Sequence, residues 1–232
     1  MFAAASLIVA ALWSRGAQAH HGAHCFLRGT LIRTPSGERE ISSLAIGDLV
    51  VTHSGQEQPI KWIGRQRLHR QAGKPWSAPV KVGRSALAEG VPHRDLYLSP
   101  WHALYLDGLL VTVGSLVNGS AIVRCDADER QTLEYFNLEL AEPDLIFAEG
   151  VPSETLFCRS ADCALFDNWS ERVSLATPMA QPIAPEANVT GARLQLRSRL
   201  RSALAPLVDR RNGFDKLRDR IEDRAEQIRS AA

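Results

Sequence analysis

The sequence predicts an all-β domain followed by a helical extension, and three observations carry that prediction. Between Cys25 and Cys158, short apolar runs of strand length alternate with turn residues. Within several runs the apolar residues recur at every second position, as in Val80/Val82, Leu96/Leu98 and Phe136/Leu138/Leu140, the period of a sheet with one buried and one wet face. From Gly191 onward the spacing changes to that of a helix.

Residues 1–24 read as a leader. Phe2 to Trp13 is apolar but too short to span a bilayer, and Ala17-Gln18-Ala19 follows with the small-x-small pattern of a signal-peptide cleavage site. The expectation is cleavage after Ala19 and export to the periplasm or exterior. A cytoplasmic location is the alternative, because no Lys or Arg lies between Met1 and the apolar run.

The β domain spans 25–158. Its expected strands are Thr30-Leu31-Ile32, Leu49-Val50-Val51-Thr52, Ile60-Lys61-Trp62-Ile63, Val80-Lys81-Val82, Leu96-Tyr97-Leu98, Ala103 to Leu106, Leu109 to Val113, Ala121 to Arg124, Leu133 to Leu140 and Leu145 to Phe147. Pro35-Ser36-Gly37, Gly47-Asp48, Ser54-Gly55, Asp107-Gly108 and Asn118-Gly119 supply the turns. Residues 159–190 read as a linker, with three prolines between Pro178 and Pro185. The tail, 191–232, reads as basic and amphipathic: Leu196, Leu200 and Leu204 mark one helix, Leu217, Ile221 and Ile228 a second, and Pro206 and Asn212-Gly213 separate them.

With 45% apolar and 23% charged residues the chain has the composition of a folded globular protein, not of a disordered or collagen-like one. Its 27 basic and 26 acidic residues leave a net charge of +1, which marks no protein that coats nucleic acid. The distribution is uneven. The tail holds eleven Lys or Arg against six Asp or Glu, +5, and the remainder holds 16 against 20, −4. Arg193, Arg197 and Arg201 run beside the leucines. The plain reading is a solvated face on a helix packed against the β domain; the functional one is attraction to an anionic membrane surface or an acidic protein, with nucleic acid not expected as a partner.

Of the cysteines, Cys25, Cys125, Cys158 and Cys163 are too few for a disulfide framework, although Cys158 and Cys163 lie close enough in sequence to pair in an oxidising compartment. Cys25 stands at the doorway of the first strand after the polar His20-His21-Gly22-Ala23-His24, an odd place for a core thiol. Ser99-Pro100-Trp101-His102 lies between two strand candidates, and Pro100 forbids a regular ladder there, so a hydroxyl and an imidazole project from a strand end or bulge. Taken alone, such a pair more often satisfies local hydrogen bonds than performs chemistry. His20, His21 and His24 offer metal-binding nitrogens, yet no Cys-x-x-Cys or His-Glu-x-x-His frame accompanies them, and neither metal nor cofactor is expected. Trp62 and Trp101 read as core or rim.

Taken together, Cys25-Phe26-Leu27-Arg28-Gly29-Thr30-Leu31-Ile32 and Ile41-Ser42-Ser43-Leu44-Ala45-Ile46-Gly47-Asp48-Leu49-Val50 resemble the opening block of the hedgehog/intein (Hint) superfamily. Pro59-Ile60-Lys61-Trp62-Ile63-Gly64, Leu98-Ser99-Pro100-Trp101-His102-Ala103-Leu104, Leu116-Val117-Asn118-Gly119, and Leu138-Glu139-Leu140 leading to Ala148-Glu149-Gly150 are similar to its bacterial branch. The resemblance implies a horseshoe-like all-β fold that cleaves its own chain. In such domains the first cysteine, here Cys25, attacks the carbonyl of the residue before it, here His24, and an N–S acyl shift turns the peptide bond into a thioester. The amide nitrogen is a poor leaving group and the thiol is mostly protonated at neutral pH, so helpers are required.

On the family's motifs, His102 matches the histidine that protonates the scissile nitrogen. Ser99 stands where that block commonly has Thr, to polarise the scissile amide or donate to the oxyanion. The later blocks depart from the pattern. Asn137 occupies a position where inteins often carry Asp and cannot act as a base, and Pro143 falls where a His would be, leaving Asp144 as the nearest titratable group, a base or a turn cap. The His-Asn pair that ends an intein is absent after Gly150, so splicing is not expected; hydrolysis of the thioester or its transfer to an external nucleophile remains. The expected substrate is the protein's own N-terminal flanking segment. Two readings compete with self-cleavage: a catalytically silent exported β domain that binds through its basic tail, and a cysteine peptidase that uses the same Cys/His pair on separate substrates.

Overall fold

The computed structural model describes residues 23–69, 78–125, 132–156, 162–172, 183–187, 192–206 and 208–231. Residues 1–22 of the expected leader, with its Ala19 site, most of the expected linker, and Cys158, with its pairing to Cys163, lie outside the described residues.

In chain order the strands are β1 (Phe26–Leu27), β2 (Leu31–Thr34), β3 (Gly37–Glu40), β4 (Leu49–Val51), β5 (Glu57–His69), β6 (Val80–Val82), β7 (Leu96–Leu98), β8 (Ala103–Leu106), β9 (Leu109–Thr112), β10 (Ile122–Arg124), β11 (Thr132–Leu140), β12 (Leu145–Ala148) and β13 (Val151–Glu154). Every strand expected from the apolar runs is present. Three more were not anticipated. β1 is only two residues long, β3 reads Gly-Glu-Arg-Glu with no apolar residue, and β13 contains Pro152, which weakens a strand signal.

The strands form two antiparallel sheets, one in the order β10-β6-β7-β1-β11-β5-β4 and the other β3-β2-β12-β13-β8-β9. The longest pairing is β5 with β11, from Thr132↔His69 to Leu140↔Ile60, with a register shift at Glu139/Leu140. Residues from both sheets, among them Phe26, Ile32, Leu98, Leu104, Val111 and Ile146, form one buried cluster. A second cluster of Cys25, Leu27, Trp62, Leu133, Tyr135 and Phe166 lies beside it, with Trp62 edge-on to Phe166 at 5.4 Å.

The tail forms α1 (Ala192–Leu204) and α2 (Gly213–Ser230). α2 closes the main core with Phe214, Leu217 and Ile221, as its apolar spacing predicts. α1 does not follow the expectation that its leucine stripe packs inward. Leu196, Leu200 and Leu204 are 59%, 51% and 55% exposed, whereas Ser198 is fully buried. The physical reason lies at the start of α2. Asp215 closes a capping box with Asn212 and is fully buried, so its carboxylate needs further partners. Ser198 and Arg201, on one face of α1, supply them, and Arg218 bonds Ser198 and Ser202 from the α2 side. Satisfying these buried charges fixes which side of α1 faces the protein, and the leucines fall on the other.

Candidate active site

The register of β1 places the site. Phe26 pairs with Leu98 of β7 on one side and with Phe136 of β11 on the other. Carrying both antiparallel registers back one residue brings Cys25 opposite Ser99 and Asn137 together. The hydrogen bonds follow that arrangement. Ser99 N–H donates to the Cys25 carbonyl at 2.9 Å. The Cys25 amide N–H, which belongs to the His24–Cys25 peptide bond, donates to Ser99 Oγ at 2.9 Å, and the Ser99 hydroxyl donates onward to the Ala23 carbonyl at 2.8 Å. The carbonyl oxygen of the same peptide bond accepts from Asn137 Nδ2, while Asn137 Oδ1 accepts from Leu138 N–H at 2.8 Å. Both ends of one peptide bond are therefore held by side chains.

His102 enters from the turn between β7 and β8. Its N–H bonds the Ser99 carbonyl at 3.1 Å and its carbonyl accepts from Val113 N–H at 2.9 Å, which fixes the turn against the start of β8. The ring is fully buried and tilted against Phe26, with centroids 4.2 Å apart. Among the described residues neither ring nitrogen completes a well-formed hydrogen bond. Burial lowers its pKa to about 4; the Glu154 charge and the His24 backbone act upward and the His24 side chain downward. The imidazole is thus neutral at physiological pH.

Glu154 is the carboxylate that the sequence did not reveal. β13 pairs with β8 through Ser153↔Leu104, and the next position sets Glu154 opposite Ala103, beside His102. Its Oε1 accepts from Ala103 N–H at 2.7 Å and meets His24 Nδ1 at 2.6 Å. Burial pushes its carboxyl upward, but the charge and hydrogen bond of His24, together with His102 and the Ala103 N–H, hold it below the usual carboxylate range. Cys25 is shifted the other way. Its side chain is fully buried, and desolvation, with Glu154 adding to it, raises the thiol well above its ordinary value.

The structure therefore brings together three of the four expected side chains, Cys25, Ser99 and His102, around the expected scissile bond, and adds Asn137 and Glu154. Asp144 stands elsewhere. Its Oδ2 accepts from Ser54 Oγ at 2.5 Å, its Oδ1 from Leu145 N–H at 2.7 Å, and its carbonyl from Thr155 Oγ1 at 2.8 Å, so it caps the start of β12. Of the two roles expected of Ser99, its position fits contact with the scissile amide, whose N–H it accepts; its own proton goes to Ala23, and Asn137 donates to the scissile carbonyl. Nothing local in Val151-Pro152-Ser153-Glu154 singles out Glu154, since its place depends on a pairing with a strand some fifty residues earlier.

This is the architecture of a β domain whose first strand follows directly on a buried cysteine and in which the peptide bond before that cysteine lies within the side-chain constellation. The family model for the Hint domain matches residues 24–160, more than half of the chain, and the protein belongs to that family. Among solved structures, the gp41-1 intein is similar at 16% identity, covering 58% of this chain and all of the intein, with a TM-score of 0.43. The MchDnaB-1 intein is similar at 13% identity, covering 56% of this chain and 99% of its own, TM-score 0.40. A bacterial intein-like domain from Clostridium thermocellum is similar at 14% identity, covering 57% and 98%, TM-score 0.39. No curated protein matches the chain.

Proposed function

We propose that the chain is a self-processing Hint domain that performs an N–S acyl shift at the His24–Cys25 bond and ends in release of the upstream segment, without splicing. The observation that carries the proposal is that the site holds the bond to be cut: Ser99 takes its N–H and Asn137 its carbonyl oxygen. Because nucleophile and amide share one chain, alignment replaces a bimolecular encounter.

Neutral His102 takes the proton of the Cys25 thiol, and Sγ attacks the His24 carbonyl carbon. The charge that develops on the carbonyl oxygen is met by the Asn137 N–H already bonded to it. The imidazolium returns its proton to the Cys25 nitrogen, the C–N bond breaks, and a thioester joins His24 to Cys25 Sγ, leaving a free amine on Cys25 whose N–H remains directed at Ser99 Oγ. Glu154 anchors the His24 ring and with it the acyl half of the bond, and its negative charge favours the transient imidazolium. Water or an external thiol then takes the acyl group. Asparagine cyclisation is left out, because no His-Asn pair follows β13.

A cysteine peptidase acting on separate substrates is a poorer account, since Cys25 is wholly buried and its own peptide occupies the constellation. The raised thiol pKa favours a second reading, a catalytically silent β domain retained for binding. One experiment separates them: fuse a folded reporter upstream of His24 and follow its mass with and without dithiothreitol or hydroxylamine, beside Cys25→Ala and His102→Ala. Thiol-promoted release that disappears in Cys25→Ala is expected; a fusion that stays intact for days establishes the silent reading.

A further inference from the structure

The tail poses a question that the self-processing reading leaves untouched. α1 turns its polar face to the protein and its apolar face to solvent, the reverse of an ordinary surface helix. Leu196, Leu200 and Leu204 recur at one-turn spacing and all are more than half exposed. Val208, whose N–H still bonds the Leu204 carbonyl at 3.0 Å, extends the row and is 57% exposed. The helix Ala192–Leu204 contains four arginines and no acidic residue. Arg201 is used internally on Asp215, but Arg197 and Arg199 are exposed and make no ion pair or hydrogen bond among the described residues. Arg197 follows Leu196 and Arg199 precedes Leu200, so at 3.6 residues per turn they fall on opposite flanks of the leucine row.

We propose that α1 is a surface anchor that lies flat on an anionic lipid bilayer, with its leucine row in the acyl boundary and Arg197 and Arg199 reaching up to lipid phosphates. Thirteen residues at a rise of about 1.5 Å give a helix of about 20 Å, short of a hydrocarbon core of about 30 Å. Among the described residues no helix is long and apolar enough to cross a membrane. A narrow apolar row with cations on both flanks is the pattern of an in-plane helix, whose long basic side chains snorkel while its leucines submerge. The polar clasp of Ser198 and Arg201 with Asp215 holds the leucines outward in advance, so that docking requires no rearrangement of the tail.

The test uses the purified full chain and sedimentation with vesicles of phosphatidylcholine containing a third phosphatidylglycerol, against vesicles of phosphatidylcholine alone. The expected result is binding to the anionic vesicles only, weakened by high salt and by about fivefold for each of Arg197→Gln and Arg199→Gln. Combined Leu196→Ser, Leu200→Ser and Leu204→Ser should abolish it while the melting temperature stays at the parent value, since these side chains support no core. Absence of binding, equal binding to both vesicle types, or binding unchanged in the leucine variant overturns the proposal. A leucine-dependent dimer seen by size exclusion, with no vesicle binding, also overturns it and assigns the row to a second copy of the chain.

Discussion

Asn137→Ala is the sharpest probe of the proposed chemistry. The substitution removes the Asn137 side-chain N–H that bonds the His24 carbonyl oxygen and leaves the rest of β11 in place. Loss of an oxyanion donor costs about 10²–10³ in rate. The lower end, about 10², applies here, because this donor already bonds the ground-state carbonyl and only the strengthening on attack counts toward the barrier. The variant also takes one hydrogen bond each from the His24 carbonyl and the Leu138 N–H beside the buried position of Asn137, for about 1–3 kcal/mol of stability. The two effects are separated by measuring thermal melts first and cleavage well below the transition. The assay is single-turnover release of an upstream reporter, followed by intact mass in excess dithiothreitol so that resolution of the thioester is not limiting. Asn137→Asp supplies the control: nearly the same size, no N–H, and a carboxylate beside the developing oxyanion, so it should be no faster than Asn137→Ala. An alanine variant within about threefold of the parent, far from the loss an oxyanion donor entails, or an aspartate variant as fast as the parent, refutes the reasoning.

Three further outcomes follow from the same geometry. The His102 pKa is lowered from 6.5 to about 4 in the folded chain, so its stabilisation is complete above pH 6.5 and is lost as the pH falls through about 4; the loss is about 3 kcal/mol, read as a steeper acid fall in melting temperature for the parent than for His102→Gln. Because the neutral ring is the form that the proposed mechanism uses, the cleavage rate should show no inflection near 6.5 and should collapse only near pH 4. Glu154→Ala strips the acceptor from both His24 Nδ1 and Ala103 N–H and should slow cleavage about tenfold, the cost of about 1.4 kcal/mol of lost positioning; in a double-mutant cycle with His24→Ala the effects should be non-additive, and additivity would show that the two do not act through each other. Asp215→Ala removes the α2 capping box and the partner of Ser198 and Arg201, costing about 3 kcal/mol locally; amide exchange should accelerate across α1 while reporter cleavage is unchanged.

How much of this was legible in the sequence depends on the range of the interaction involved. Strands set by a period of two and bounded by Gly, Asn or Asp turns could be read locally, and Gly37, Gly47, Gly55, Gly108 and Gly119 all adopt the positive φ that their turns require. β3 and β13 could not, because a strand without apolar residues and a strand broken by proline exist only through the neighbours that pair with them. The same division runs through the site. Cys25, Ser99 and His102 are recognisable as residue types in motifs, and the helices of the tail as a spacing of leucines, but periodicity does not say what a face will meet. On α1 the polar spacing of Ser198 and Ser202 is as regular as that of the leucines, and it prevails because it answers buried charges on α2.

Asn137 shows the limit most clearly. Judged as a titratable group in place of an aspartate, it is a loss, since an amide takes no proton. Judged by register, it lies across from Cys25 with its Oδ1 fixed by the Leu138 N–H, so its Nδ2 is left to face the scissile carbonyl. A carboxylate in that position would bring negative charge to the oxygen that becomes negative during attack, whereas an amide brings a donor. The carboxylate that the constellation contains, Glu154, comes instead from the other sheet and faces the two imidazoles, His102 and His24. Charge in this site is thus divided by place: a neutral donor where the oxyanion forms, and an anion on the side of the imidazoles. In the proposed acyl shift that division lets neutral His102 take the proton of a buried thiol, because the imidazolium forms beside Glu154 and the oxyanion beside Asn137.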